Sequence, residues 1–239
     1  MTAIQVTGRA HSYVKTYWCA GIGLIGLFNC IGHAHADAPN TAAVSCIDHP
    51  EQQPAISTEL QTIVSADQAD RQVSPDRINW AVVGPRDRER HARVAEIVAG
   101  GCLKDARDFA AAALVFQHGE TADDVYQTFL WAKKAVDLGD SSRRWLTVAG
   151  LDRYLVRTGR KQLFATQYGK DTSNPCWCLE PVESTFPDGE RVIWANLSLD
   201  QALGRLKSDL NQGQRVCDEV QYCHHDLKAT PAGSVSGFW

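Results

Sequence analysis

Between Pro85 and Gly159 the sequence runs through four helix-length segments, each with apolar residues at helical spacing, a glycine at its end and a joint of only two or three residues. Joints that short oblige each helix to turn back on the one before it. The fold class is therefore mainly α, an antiparallel helical bundle or helix-hairpin array. The first segment opens at Pro85, which suits a first helical turn, carries Val94, Ile97 and Val98 on one side, and stops at Gly100 and Gly101. The second begins at Asp105, whose side chain can cap, and sets Phe109, Ala112, Ala113 and Phe116 at i, i+3, i+4 and i+7 before Gly119. Thr121 and Asp124 have capping-box spacing at the head of the third, where Val125, Phe129, Ala132 and Val136 continue one face to Gly139. The fourth starts near Ser141, aligns Trp145, Val148, Asp152 and Leu155, and ends at Gly159.

The flanking regions differ in kind. Residues 1–36 hold Arg9 and Lys15, no acid, an apolar run from Cys19 to Ile31, and Ala34-His35-Ala36, the pattern of a secretory leader cleaved after Ala36. The apolar run is too short and too interrupted by glycine to span a bilayer, so no stable membrane insertion is expected after cleavage, and the mature protein is expected to be secreted or periplasmic. Residues 37–84 form an N-terminal arm with a short helix near 57–66, where Leu60, Ile63 and Val64 share one side. After the helical core of 85–170 comes a cysteine-bearing extension, 171–227. A β-capable stretch, 162–168, lies just upstream of it, and it contains one helix introduced by the capping box Ser198 to Gln201 with Leu203, Leu206 and Leu210. The last residues, 228–239, are small and polar and read as a flexible tail. With 24 basic against 28 acidic residues the chain has no basic field to attract nucleic acid or anionic lipid.

Loss of the leader leaves six cysteines, Cys46, Cys102, Cys176, Cys178, Cys217 and Cys223, in an oxidising compartment where disulfides persist. The 176/178 loop is expected to be joined to the 217/223 segment, giving a disulfide-tethered, partly irregular C-terminal extension; the pairing itself stays open. A zinc site could be drawn from Cys176, Cys178, Cys217, Cys223, His224 and His225, but Cys-x-Cys is not the knuckle spacing and oxidation competes for the same thiols. No metal and no cofactor are expected. His49, His224 and His225 read as solvated, and Asn196-Leu197-Ser198 is a formal glycosylation acceptor.

The second and fourth segments run parallel, and at 1.5 Å per residue His118 and Asp152 fall within roughly 3 Å of one axial level. Gln162, Thr166 and Gln167 leave the fourth segment at that same end, so Gln117, His118, Asp152, Arg153, Gln162, Thr166 and Gln167 can converge. Asp152 occupies an apolar stripe, where a carboxylate must find a partner or take up a proton. The candidate partners are His118 or the backbone and amides of Gln162–Gln167: with His118 the two form an acid/base pair, and otherwise the carboxylate ties the 162–168 segment to the bundle as a satisfied buried network.

Those residues also carry a resemblance. Ala111 to Gly119 (AAALVFQHG), Leu151 to Leu155 (LDRYL) and the Gly159-x-x-Gln162 … Ala165-Thr166-Gln167 stretch resemble an uncharacterised bacterial family, a domain of unknown function, over about a third of the chain. The resemblance implies that the same seven polar residues form that family's signature cluster. Ala165 departs from its pattern, which has glycine there. FAAAALVFQHG followed by DDVYQTFLWAKKAVDLGD is also similar to Sel1-like and tetratricopeptide helix pairs, without a sustained repeat. No nucleophile elbow, phosphate loop or metalloprotease helix occurs. The expected function is a binding or structural module of the cell envelope, with an unknown protein or a small polar ligand as partner. The alternative is a hydrolase-like enzyme with His118 as base, Asp152 orienting it and Arg153 binding an anionic group.

Overall fold

Helix α1 (Gln53–Ala69) places Ile56, Leu60, Ile63 and Val64 on one stripe, and that stripe decides where it packs. It is longer at both ends than the 57–66 expected. The computed structural model describes residues 44–74, 77–170 and 175–238. The expected leader, 1–36, with its cleavage after Ala36, lies outside the described residues.

Helix α2 (Trp80–Ala99) starts upstream of Pro85, because the Asn79 carbonyl already accepts the Val82 and Val83 N–H groups, each at 2.9 Å. The expected start at Pro85 is thus corrected: the proline sits inside the helix on its exposed side, where its missing donor costs one ladder bond. The next two starts follow the sequence. The Asp105 carboxylate accepts from the Arg107 and Asp108 N–H groups at 2.9 and 3.0 Å to open α3 (Ala106–Phe116). A reciprocal box between Thr121 and Asp124 opens α4 (Ala122–Asp137). A 3-10 turn, Ser141–Arg143, leads into α5 (Arg144–Arg157).

The alanines of α3 set the spacing of the bundle. Ala110, Ala111, Ala112 and Ala113 are all buried, so α1 and α2 close on one side of α3 and α4 on the other. Between α4 and α5 the contact is closer still, since a Cβ on Gly150 would stand 2.9 Å from the Phe129 backbone nitrogen. The α5 stripe differs from expectation at one end. Val148, Asp152 and Leu155 are buried, but Trp145 is 48% exposed, in the first turn of α5, where it lines a surface pocket with Tyr168 and Arg205 instead of the core.

The C-terminal part wraps the α4/α5 end. Strand β1 (Tyr168–Lys170) pairs antiparallel with β2 (Trp177–Leu179), with Tyr168 opposite Leu179, so strand structure begins where the β-capable 162–168 stretch ends. Helix α6 (Asp188–Ala195) follows, and then α7 (Leu199–Arg205), capped by Ser198 and Gln201, which runs into a π-helical turn, Leu206–Leu210. Cys176–Cys217 and Cys178–Cys223 join β2 to the downstream segment, as expected, and Cys46–Cys102 pins the N-terminal arm to the α2–α3 joint. All six cysteines of 44–238 are thereby consumed, and three disulfides fit a chain that matures in an oxidising compartment.

The tail is not frayed through 238. Thr230 is buried, donating its N–H to Glu183 at 2.9 Å and its hydroxyl to the Lys161 carbonyl at 2.7 Å. Val235 joins the core of Phe129, Leu151, Leu155, Phe164 and Phe186, with Phe238 packed on Phe129, Phe164 and Trp194. Burying such rings outweighs the entropy of ordering a short tail, each being worth roughly 1.5–3 kcal/mol when fully enclosed. No helix of the described residues is long and apolar enough to cross a membrane.

Candidate functional site

Asp152 is fully buried and entirely surrounded by donors. Its carboxylate accepts the Leu163 N–H at 2.8 Å, the Phe164 and Thr166 N–H groups at 3.1 Å, and the Thr166 hydroxyl at 2.8 Å. Successive backbone N–H groups cupped in this way form a nest, here filled by the protein's own anion. Ala165 closes the cup with φ = 59°, in the left-handed region, which is the conformation that glycine supplies at no steric cost. Burial pushes the Asp152 carboxyl up to about 6 in spite of the hydrogen bonds that pull it down.

The neighbouring polar residues complete this framework. Gln162 donates to the Gln167 and Glu180 carbonyls at 3.0 and 2.7 Å and accepts the Gln167 N–H at 2.8 Å. Arg153 donates to the Gln167 side chain at 3.1 Å and to the Gln117 carbonyl at 2.7 Å. Gln167 also donates to the Ala149 carbonyl. Six of the seven expected residues therefore do converge, Gln117 through its carbonyl. Arg153, whose guanidinium burial and the nearby Arg157 charge bring down, is committed to internal acceptors rather than to an incoming anion.

His118 is the correction. Its Nδ1 meets Asp67 Oδ1 at 3.0 Å, not Asp152, because Asp152 is closed off by the 163–166 backbone while Asp67 emerges from the last turn of α1. Asp67 is buried and also accepts from Arg71 at 3.2 Å and Gln68 at 2.8 Å. From there an alternating chain of charges runs Arg71–Asp87, Asp87–Arg90 and Arg90–Asp70 across the α1/α2 joint.

A second imidazole stands beside the first. His91 on α2 stacks on Phe116, ring centroids 3.9 Å apart, and sets its Nε2 2.9 Å from Asp124 Oδ1. Asp124 is lifted by burial, but the Thr121 N–H and hydroxyl and the His91 ring together hold it below the ordinary carboxylate range. Gly119 is required for this closure: a Cβ there would lie 2.3 Å from Asp124 Cβ. His91, His118, Asp87, Arg88, Gly119, Glu120, Thr121 and Asp124 line a cleft of about 250 Å³, with Arg88 and Glu120 paired at 3.5 Å on its rim. The His118 and His91 side chains are 20% and 29% exposed, so both rings reach solvent.

The chemistry follows from the pairing. A carboxylate only accepts, so the imidazole nitrogen facing it carries the hydrogen, and a ring carrying a single proton has its other nitrogen as acceptor and base: Nε2 in His118, Nδ1 in His91. The framework around Asp152 supports this cleft from behind. Arg153 holds the Gln117 carbonyl, and Arg157 holds the Gly119 and Thr121 carbonyls at 3.0 and 2.8 Å, which fixes the 117–121 loop carrying His118. Among the described residues no group of three or more His, Cys, Asp or Glu side chains is arranged to hold a metal ion.

Asp67, His91, Asp124, Arg71 and Asp87 were not part of the sequence-level site. Asp67 carried the same signal as Asp152, a carboxylate following Leu60, Ile63 and Val64 on an apolar stripe, but it lay just past the expected helix end. His91 precedes Val94 by three residues on the inner side of α2, and Asp124 was assigned only a capping role. His225, expected to be solvated, is exposed yet bonded to the buried Glu180 at 2.7 Å. No family model, no curated protein and no solved structure matches the chain.

Proposed function

We propose that the protein is a binding module of the cell envelope, acting in the periplasm or outside the cell, whose cleft between His91 and His118 takes a small polar molecule bearing hydrogen-bond donors, such as an amine or a polyol. The observation that carries this reading is the pair of imidazoles, each fixed by its own aspartate, on one cleft of about 250 Å³. In its singly protonated form each ring held in this way offers a lone pair, and Glu120 adds a carboxylate at the rim. Such a site complements donors rather than acceptors. The framework behind the cleft supports the reading, since Arg153 and Arg157 hold the loop that carries His118.

The test is imidazole-detected NMR of the mature protein during addition of ethanolamine and, separately, glycerol. Saturable shifts of both His91 and His118 with one of these probes, lost in His91→Ala, are expected. Shifts confined to neither ring with either probe would remove the reading.

One observation favours a second reading. Two oriented imidazoles in a single cleft are also the equipment of acid/base hydrolysis, with His118 held by Asp67 in place of the Asp152 first expected. Hydrolysis of 4-nitrophenyl acetate that falls by about a hundredfold or more in both His118→Ala and His91→Ala would put this reading ahead of simple binding.

A further inference from the structure

A second cavity lies away from the histidine cleft. It is a groove of about 670 Å³ between α4, the end of α5 and the tail. From α4 it is lined by Tyr126, Phe129, Leu130, Lys133, Lys134 and Asp137, which recur at i, i+3, i+4, i+7, i+8 and i+11 and so form a single helical stripe. Its floor is apolar, made by Phe129, Leu151, Leu155 and Val235, all of them buried. Its rim is cationic. Lys133 is neutralised by Asp137 at 2.9 Å, but among the described residues no carboxylate pairs with Lys134 or with Arg160, whose contact is the Ser234 hydroxyl at 3.4 Å. The Tyr126 and Tyr154 rings, centroids 4.7 Å apart, stand over the floor.

We infer that this groove binds an amphipathic anion, an acyl chain ending in a carboxylate, with the chain on the Phe129/Leu151/Leu155/Val235 floor and the head between Lys134 and Arg160. Charge decides the class of ligand: two cations without carboxylate partners at the edge of an apolar trough complement a negative head and disfavour a positive one. Size agrees, since the volume falls within the range of pockets that enclose a ligand of a few tens of atoms. The tail completes the site, because residues 234–236 form one wall and Phe238 anchors them on Phe129 and Trp194.

The experiment is isothermal titration of the mature protein with dodecanoate, with dodecyltrimethylammonium and with acetate, all below micelle-forming concentration. Saturable binding of one dodecanoate is expected, without comparable binding of the cationic chain or of acetate. Lys134→Gln and Arg160→Gln, both on exposed or half-exposed surface, should each weaken dodecanoate by about tenfold while leaving the fold intact. Equal binding of the two chains, an affinity unchanged in both variants, or no binding of dodecanoate would overturn the assignment.

Discussion

Ala165 shows how one side chain can be in conflict with its own backbone. Its φ of 59° places an L-residue in the left-handed region, at a typical cost of about 1–2 kcal/mol, so that three N–H groups can face Asp152. Ala165→Gly should therefore raise stability by up to about 1 kcal/mol in chemical denaturation, the strain relieved being offset in part by the greater freedom of an unfolded glycine. Asp152 itself gives a pH prediction. Its native pKa of about 6 lies above the ordinary aspartate value of 3.8, so the native state holds a proton that the unfolded state has released between those two values. The contribution of Asp152 is fully present below about pH 4 and is lost as pH rises through 6, by about 3 kcal/mol. Denaturation of wild type and Asp152→Asn across pH 4–7 measures it: the stability difference between them should narrow with rising pH, and a constant difference would contradict the assignment. The sequence made this residue legible, because a carboxylate on an apolar stripe stands out. Its candidate partners were His118 or the backbone and amides of 162–167, and the backbone is the one that meets it; helical spacing alone could not choose between them, because every residue possesses an N–H group.

At the scale of elements, Gly150 governs how closely α5 approaches α4. A methyl group at 150 would press on the Phe129 backbone, which cannot swing aside as a side chain can, so Gly150→Ala should cost about 1–3 kcal/mol, read as a lowered Tm. The starts of α3, α4 and α7 were legible because their caps are local: Asp105, Thr121 with Asp124, and Ser198 with Gln201 bond within three residues. The extent of α1 was not, since its stability comes from packing Leu60 beneath α3 and its last turn is held by Asp67 bonded to His118, 51 residues away. That one helical turn hid Asp67 and left Asp152 as the visible carboxylate for a His118 pair, one of the two alternatives the sequence offered, where the structure pairs His118 with Asp67. Trp145 misled for a similar reason, as helical spacing assigns a face but not where the neighbouring helix ends.

For the molecule as a whole, three disulfides and a docked tail order what lies outside the bundle: Cys46–Cys102 ties the N-terminal arm to the α2–α3 joint, Cys176–Cys217 and Cys178–Cys223 close the C-terminal part on itself, and the tail packs it against Phe129 of α4. Cys46 and Cys102 are separated by 56 residues, and in the chain-entropy description a loop of that size is worth about 4 kcal/mol. Replacing both by alanine should lower stability by about 2–5 kcal/mol without changing the helical content seen by circular dichroism. Phe238→Ala should lower the Tm as well, through the aromatic cluster of Phe129, Phe164 and Trp194, a tertiary arrangement that a small, polar tail sequence gives no means of anticipating. The central claim is a division of labour: Asp152 belongs to the framework, and His118 belongs with Asp67 in an open cleft. A pair of double-mutant cycles on unfolding free energy, His118→Ala with Asp67→Ala and His118→Ala with Asp152→Ala, tests it most directly. The account predicts a coupling of about 1 kcal/mol or more for His118 with Asp67 and additivity within about 0.5 kcal/mol for His118 with Asp152; the reverse pattern would contradict it.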